Sequence, residues 1–215
     1  MTRILYLNPN ATEAMTEAMV EAARAAVPGH EVIGWTNHDG PPAIQGAADG
    51  EAAVPGLLAR LPAAAAAGAE AIVIGCFDDT GLDRLRAAAH CPVIGIGQAA
   101  FHTAALLGRR FSVVTTLQVS VPVIEDNIAA YGLSSVCAKV HASGIPVLDL
   151  EPAGPATIER LAGALAAAEA ADAPAALVLG CAGMAPLRDL LQPRFRARLV
   201  DGVAAAARLS VALAP

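Results

Sequence analysis

A chain of 215 residues, 55% hydrophobic and 16% charged, is long enough for one large domain or two small ones and too apolar to stay unfolded. Its formal net charge of -6, with arginines scattered apart from Arg194, Arg196 and Arg198, argues against a nucleic-acid partner, which needs clustered cations. No apolar stretch has the length of a membrane span: Ile4–Leu7 is too short for a signal core, and 173–187 is broken by Pro174, Gly180, Gly183 and Pro186. The expectation is a cytoplasmic protein with no membrane contact.

Taken in chain order, short apolar runs alternate with alanine-rich stretches. Strands are predicted at 3–7, 31–36, 71–75, 93–96, 111–115, 135–141, 176–179 and 198–200, and helices at 12–26, 47–67, 82–88, 98–107, 120–131, 155–171, 186–191 and 203–213. This alternation is the pattern of parallel βαβ units, so the fold class is α/β. The pattern also repeats. Leu7 and Cys76 are 69 positions apart, Thr115 and Cys181 are 66 apart, and each cysteine follows a four-residue apolar run and a glycine. Matching spacing and local text indicate a duplicated unit. The reading is two similar α/β domains with parallel sheets related by a pseudo-twofold: residues 1–97 with 203–215, carrying Cys76, and residues 98–202, carrying Cys181.

The run 71–74 ends in Gly75-Cys76, and the run 176–179 ends in Gly180-Cys181. Each thiol therefore stands where a buried strand opens into a loop, at the carboxyl edge of a sheet, where open α/β folds bind ligands. Two facing thiols with one proton between them can take a proton from one face of a carbon and return one to the other face. Cys91 and Cys137 sit in contexts that read as buried packing, and no CxxC or histidine spacing suggests zinc or a disulfide framework. The histidines share no metal spacing, and only His38, on a loop before Gly40, is a candidate for any site role.

Gly95-Ile96-Gly97-Gln98-Ala99-Ala100 satisfies a loose dinucleotide-binding pattern, but the next strand ends in Thr115-Thr116 without the acid that would hold a ribose. A non-catalytic two-lobed module that binds a small ligand is a further alternative, and in it the cysteines would be accidental.

Asn8-Pro9-Asn10, Gly40-Pro41-Pro42-Ala43-Ile44, Gly75-Cys76-Phe77-Asp78-Asp79, Val114-Thr115-Thr116-Leu117 and Gly180-Cys181-Ala182-Gly183-Met184 together resemble the hydantoin racemase branch of the aspartate/glutamate racemase superfamily. The likeness covers essentially the whole chain. It implies two Rossmann-like domains with the active site in the cleft between them. It also implies racemisation of 5-substituted hydantoins or the ureide allantoin without a cofactor or metal. By that resemblance Cys76 and Cys181 are the catalytic pair, and Asn10, Ile44, Phe77, Asp78, Thr116, Leu117, Ala182 and Gly183 line the substrate pocket. Thr80 stands where the family has proline, and Gln45 where an acid is frequent. Another isomerase or a decarboxylase of the same superfamily is the nearest rival, although a decarboxylase needs only one of the two cysteines.

In the expected chemistry a thiolate removes the C5 hydrogen of a hydantoin, and the adjacent carbonyl accepts the charge as an enolate. Helix starts at Leu82 and Pro186 are expected to draw each thiol's pKa toward neutrality and to offer N–H groups to the enolate. Asp78 and Asp79 are expected to point away from Cys76, with Asp79 capping the helix that follows. Asn10 and Glu13 fit a helix-capping pair. Phe77 reads equally as core or as a lid. Small-faced, alanine-rich helices suit close packing between subunits, so a homo-oligomer is expected.

Overall fold

Along the first strand, β1 (Arg3–Asn8), Ile4 and Tyr6 face one core while Leu5 and Leu7 face another, and all four are fully buried. A strand apolar on both faces needs cover on both, which a parallel sheet between helical layers provides. In a computed structural model, which describes residues 1–107, 110–150 and 152–214, β1 pairs in parallel with β2 (Glu31–Thr36) and β3 (Ala71–Ile74), and β3 with β4 (Val93–Gly95). The order is β2-β1-β3-β4. A second parallel sheet, of β5 (Phe111–Thr115), β6 (Cys137–Ala142), β7 (Ala176–Gly180) and β8 (Arg198–Asp201), repeats it as β6-β5-β7-β8. Cys76 and Cys181 therefore follow corresponding strands, β3 and β7.

The strands divide their side chains among three cores. Tyr6, Val73, Phe111 and Val178 enter a central core shared by both sheets, together with α1 (Glu13–Ala26), α5 (Ile96–Leu106), α6 (Val121–Ala130) and α9 (Gly202–Leu213). Leu5, Ile72 and Ile74 pack outward on α2 (Ala47–Ala59), α3 (Leu61–Ala66) and α4 (Leu82–Ala88). Leu177 and Leu199 do the same on α7 (Pro155–Asp172) and α8 (Arg188–Leu191). The C-terminal helix α9 touches β1, β3 and β4 of one sheet and β7 and β8 of the other. Pro215, at the end of the expected first domain, lies outside the described residues.

Three elements depart from the sequence expectation. The helix expected over 47–67 is two helices, α2 and α3, meeting at Arg60. Pro62 falls in the first turn of α3, where its missing N–H costs nothing. The strand expected through Ile96 stops at Gly95, and α5 begins at once. The helix expected at 186–191 begins earlier, as a 3-10 stretch over Ala182–Leu187 that leads into the single turn of α8. Among the described residues no helix is long and apolar enough to cross a membrane, and no group of three or more His, Cys, Asp and Glu is placed to hold a metal ion.

Candidate active site between the two sheets

Parallel pairing sends the loops after β1 and β3 out at one sheet edge, and those after β5 and β7 out at the corresponding edge of the other sheet. Both cysteines are preceded by a glycine because a neighbour presses on it. A Cβ on Gly75 would lie 2.7 Å from Met19 Sδ, and one on Gly180 would lie 2.8 Å from the Thr115 Cα. The Gly75 N–H donates to the Leu7 carbonyl at 2.8 Å, and the Thr115 hydroxyl donates to the Gly180 carbonyl at 3.0 Å. The backbone that leads into each cysteine is thus held against the adjacent strand of its sheet.

Cys76 and Cys181 line one cavity. Of the other residues singled out in the sequence, Asn10, Ile44, Phe77, Asp78, Thr116, Ala182 and Gly183 line it too. Leu117 does not: it flanks the 3-10 turn Gln118–Ser120, and Ser120 reaches the cavity instead. Met15 and Met19 of α1, Thr115 and Val147 complete the wall. Thr115 belongs to the motif around Thr116, but nothing in the sequence separates the two methionines and Val147 from ordinary core. Met15 and Met19 lie at helical spacing on a buried face, and only the structure shows that this face also borders the cavity.

The loop after Cys76 does not run as expected. Asp79 does not cap α4. Its carboxylate accepts from the N–H groups of Gly97 (2.9 Å) and Gln98 (2.7 Å) at the start of α5, and from the Tyr131 hydroxyl at 2.8 Å. Its backbone bends there to a positive φ of 48°, and the Leu82 N–H at the head of α4 donates to its carbonyl at 3.0 Å. Burial pushes the Asp79 carboxyl up to about 7, with its three donors pulling the other way. Asp78 does not point away from the site. It lines the cavity beside Cys76, its Oδ2 has no hydrogen-bond partner among the described residues, and burial raises its carboxyl to about 7.

The expected lowering of the thiol pKa is therefore reversed at Cys76. Burial pushes it well above its ordinary value, and the charges of Asp78 and Cys181 push in the same direction. The Asp78 N–H and the Thr80 hydroxyl oppose this by favouring the thiolate. Thr80 Oγ1 has no hydrogen-bond partner of full geometry among the described residues, but it lies close enough to the Cys76 sulfur to favour its charged form. Cys181 occupies the position flanking the 3-10 stretch, and its carbonyl accepts from the Met184 N–H at 3.1 Å.

The expected pairing of Asn10 with Glu13 does not form, because Thr12 and not Asn10 flanks α1. Asn10 is held inside a buried network. Its Oδ1 accepts from Asn8 Nδ2 (3.0 Å) and from the Thr12 N–H (2.9 Å), and its own Nδ2 contacts Met15 Sδ at 3.4 Å. The Ile44 segment is tied down through the Thr12 hydroxyl, which donates to the Pro42 carbonyl at 2.8 Å. Gln45 Oε1 accepts from the Val147 N–H at 3.4 Å, linking the walls that follow the two sheets. His38 stays at the surface, 3.7 Å from Glu13.

The geometry agrees with similarity to known proteins. Residues 4–210 match the model of the Asp/Glu/Hydantoin racemase family. A hydantoin racemase of Rhizobium meliloti is 45% identical over 98% of this chain and 88% of its own length. The structure of an allantoin racemase from Klebsiella pneumoniae superposes with a TM-score of 0.95 at 38% identity, covering 99% of this chain and 87% of that one. Unliganded arylmalonate decarboxylase, at 20% identity and a TM-score of 0.68 over 100% of this chain and 93% of its own, shares the fold. With thiols at corresponding strand ends around one cavity and homology over nearly its full length, this chain belongs to the Asp/Glu/hydantoin racemase family.

Proposed function

We propose that the protein interconverts the enantiomers of 5-substituted hydantoins by two-base proton transfer between Cys76 and Cys181. One observation carries the reading: two cysteines that end corresponding strands of two sheets line the same cavity. In one direction a thiolate takes the C5 proton, breaking C–H and forming S–H. The opposite thiol then gives its proton to the other face of the carbon and becomes the thiolate. In the reverse direction the roles exchange. The charge of Cys181 raises the Cys76 pKa, so the two sulfurs are not both thiolates at once and the pair titrates as a unit.

The enolate formed in between needs donors. The amides of Ala182 and Gly183 begin the 3-10 stretch after Cys181 and have no acceptor within it. They would receive the developing oxyanion, with Asn10 and Thr116 orienting the ring's polar edge. Cavity space in the resting state is about 30 Å³, room for one or two water molecules, so the ring enters as the walls part. Residues 1–97 with 203–215 on one side and 98–202 on the other are the bodies that would move.

The ring substituent is the finer part of the proposal. Met15, Met19, Ile44, Phe77 and Val147 make this wall apolar, which favours a hydrocarbon side chain over the ureido group of allantoin. The allantoin racemase structure keeps that second substrate as the alternative. Self-association, suggested by the alanine-rich helices, would also cover Leu106, which is 83% exposed at the end of α5.

The test follows optical rotation of single enantiomers of a 5-alkylhydantoin and of allantoin in heavy water. The hydantoin is expected to racemise faster, with deuterium appearing at C5 in each inverted molecule. Cys76→Ser and Cys181→Ser should each slow racemisation by ~10²-fold or more. Unchanged rates in both variants would overturn the two-thiol mechanism, a wild type that racemises neither compound would leave a binding module, and faster turnover of allantoin would reverse the substrate assignment.

A further inference from the structure

Asp78 Oδ2 and Thr80 Oγ1 are buried side-chain atoms with no hydrogen-bond partner among the described residues, and both lie beside Cys76. Each such atom costs about 1–3 kcal/mol, so two of them in one loop call for an explanation. Thr80 is only 5% exposed. Asp78 borders the cavity between the thiols and also a second, outer cavity of about 290 Å³, which Thr80 borders as well. The exposed residues Glu51, Asp83 and Arg84 form the rim of that outer cavity, so bulk water fills it. Asn127 of α6 fixes the loop between the two cavities, its Nδ2 donating to the Asp78 carbonyl at 2.9 Å.

Two-base racemisation creates a need that this arrangement meets. Each inversion leaves the proton on the opposite sulfur, and the pair must be reset before the same enantiomer can react again. With its walls closed the inner cavity has room for only one or two waters, so between openings it gives Cys76 little contact with bulk solvent.

We propose that Asp78 and Thr80 form a proton passage between the Cys76 sulfur and the outer cavity, through which Cys76 exchanges its proton with bulk water between turnovers. The proposal rests on the two-thiol reading above. In the outward step the S–H bond of Cys76 breaks and an O–H bond forms on the Asp78 carboxylate. That proton then passes to water in the outer cavity. The thiolate left behind accepts from the Thr80 hydroxyl and the Asp78 amide. The Cys181 thiolate takes a proton from hydronium in the solvent admitted when the walls part to release product, so one proton leaves the pair and one arrives. The inward step is the reverse. A carboxyl raised to about 7 by burial can both take and give a proton near neutrality. Among the described residues no carboxylate lines the cavity on the Cys181 side. Asp78 acts here through Cys76, as a relay.

Tracer perturbation tests the passage. An equilibrated, isotopically labelled racemate of the hydantoin is mixed with an excess of one unlabelled enantiomer. If the two protonation forms of the free enzyme interconvert slowly, net conversion of the added enantiomer leaves the enzyme in the form that accepts its mirror image, and label accumulates transiently in the added enantiomer. Asp78→Asn and, independently, Thr80→Val are expected to show this drift at a total substrate concentration about tenfold lower than wild type, with Thr80→Ser restoring wild-type behaviour. Label that stays racemic in both variants over the range where wild type does overturns the passage. So does a fall in kcat/KM without drift, which assigns Asp78 to substrate contact instead. Wild type that racemises neither hydantoin nor allantoin defeats the two-thiol reading itself, an outcome visible before any variant is made.

Discussion

The loop after β3 and the loop after β7 occupy the same place in two sheets of the same order, yet they are built from different materials. The first carries Cys76 followed by two aspartates and a threonine, bends through a positive φ at Asp79, and is tied by that residue to α5 and to Tyr131. The second carries Cys181 followed by Ala182-Gly183-Met184-Ala185 and winds directly into a 3-10 stretch. Inversion at carbon requires symmetry only of the two sulfurs. The surroundings are free to differ, and here one loop carries titratable groups while the other, over 182–185, carries none, leaving its backbone amides for the role proposed above.

The largest test of that asymmetry compares two caps. Asp201 caps α9 from the adjoining strand end, accepting from the Val203 (2.8 Å) and Ala204 (3.1 Å) N–H groups. Asp79 caps the corresponding helix α5 from a loop 18 positions away, and it holds the Cys76 loop in place as it does so. Asp201→Ala removes a local cap, expected to cost about 1–2 kcal/mol. Asp79→Ala also strands the Tyr131 hydroxyl and releases the loop, so about 2–4 kcal/mol is expected, together with a loss of kcat. Denaturant midpoints and initial rates measure both. Equal losses of stability would mean that Asp79 is only a cap.

The same aspartate explains what could and could not be seen in the sequence. The strands are legible as short apolar runs and the two cysteines as the Gly-Cys ends of two of them, and the likeness of the two sheets follows from the repeat. The Gly95–Ala100 segment satisfied a dinucleotide pattern and was set aside only for want of a later acid. The physical reason is nearer: the anion at the start of α5 is the Asp79 carboxylate, and a Cβ on Gly95 would overlap it. That contact joins positions 79 and 97 through tertiary packing, which no local pattern records. Asn10 was misread for a related reason, since an Asn three residues before a Glu meets the capping rule whether or not the helix begins there. The break at Arg60 was legible in principle from Pro62, but the surrounding alanines obscured it.

A smaller effect sets the charged loop against the neutral one through pH. Folding raises the Asp78 carboxyl from 3.8 to about 7, so the folded protein binds that proton more tightly than the unfolded chain does. Stability contributed at this site is therefore present at acid pH and is lost as pH rises from about 4 to about 7. Asp78→Asn removes the buried charge. At pH 8 the variant is expected to be more stable than wild type by about 1–3 kcal/mol, and the difference should vanish below pH 4. The Cys181 loop has no counterpart to this dependence. A thermal-melt series over that pH range measures it, and a variant less stable than wild type at pH 8 would mean that the charge is matched after all.

The smallest effect probes the neutral loop by itself. A Cβ on Gly183 would meet Leu150 Cβ at 3.0 Å and lie 4.0 Å from Cys181 Sγ. Its φ is not in the left-handed region, so Gly183→Ala introduces crowding without backbone strain. Leu150 can yield by a few tenths of an ångström, and the stability loss should stay under about 1 kcal/mol. The added methyl stands next to the sulfur and over the amide assigned to the oxyanion. Catalysis should therefore suffer more than folding does, with kcat falling by about 2–3 kcal/mol of transition-state stabilisation at a nearly unchanged melting temperature. Fall in both measures together would place Gly183 in packing, whereas a fall in rate alone would show that the second half of the site works through its backbone.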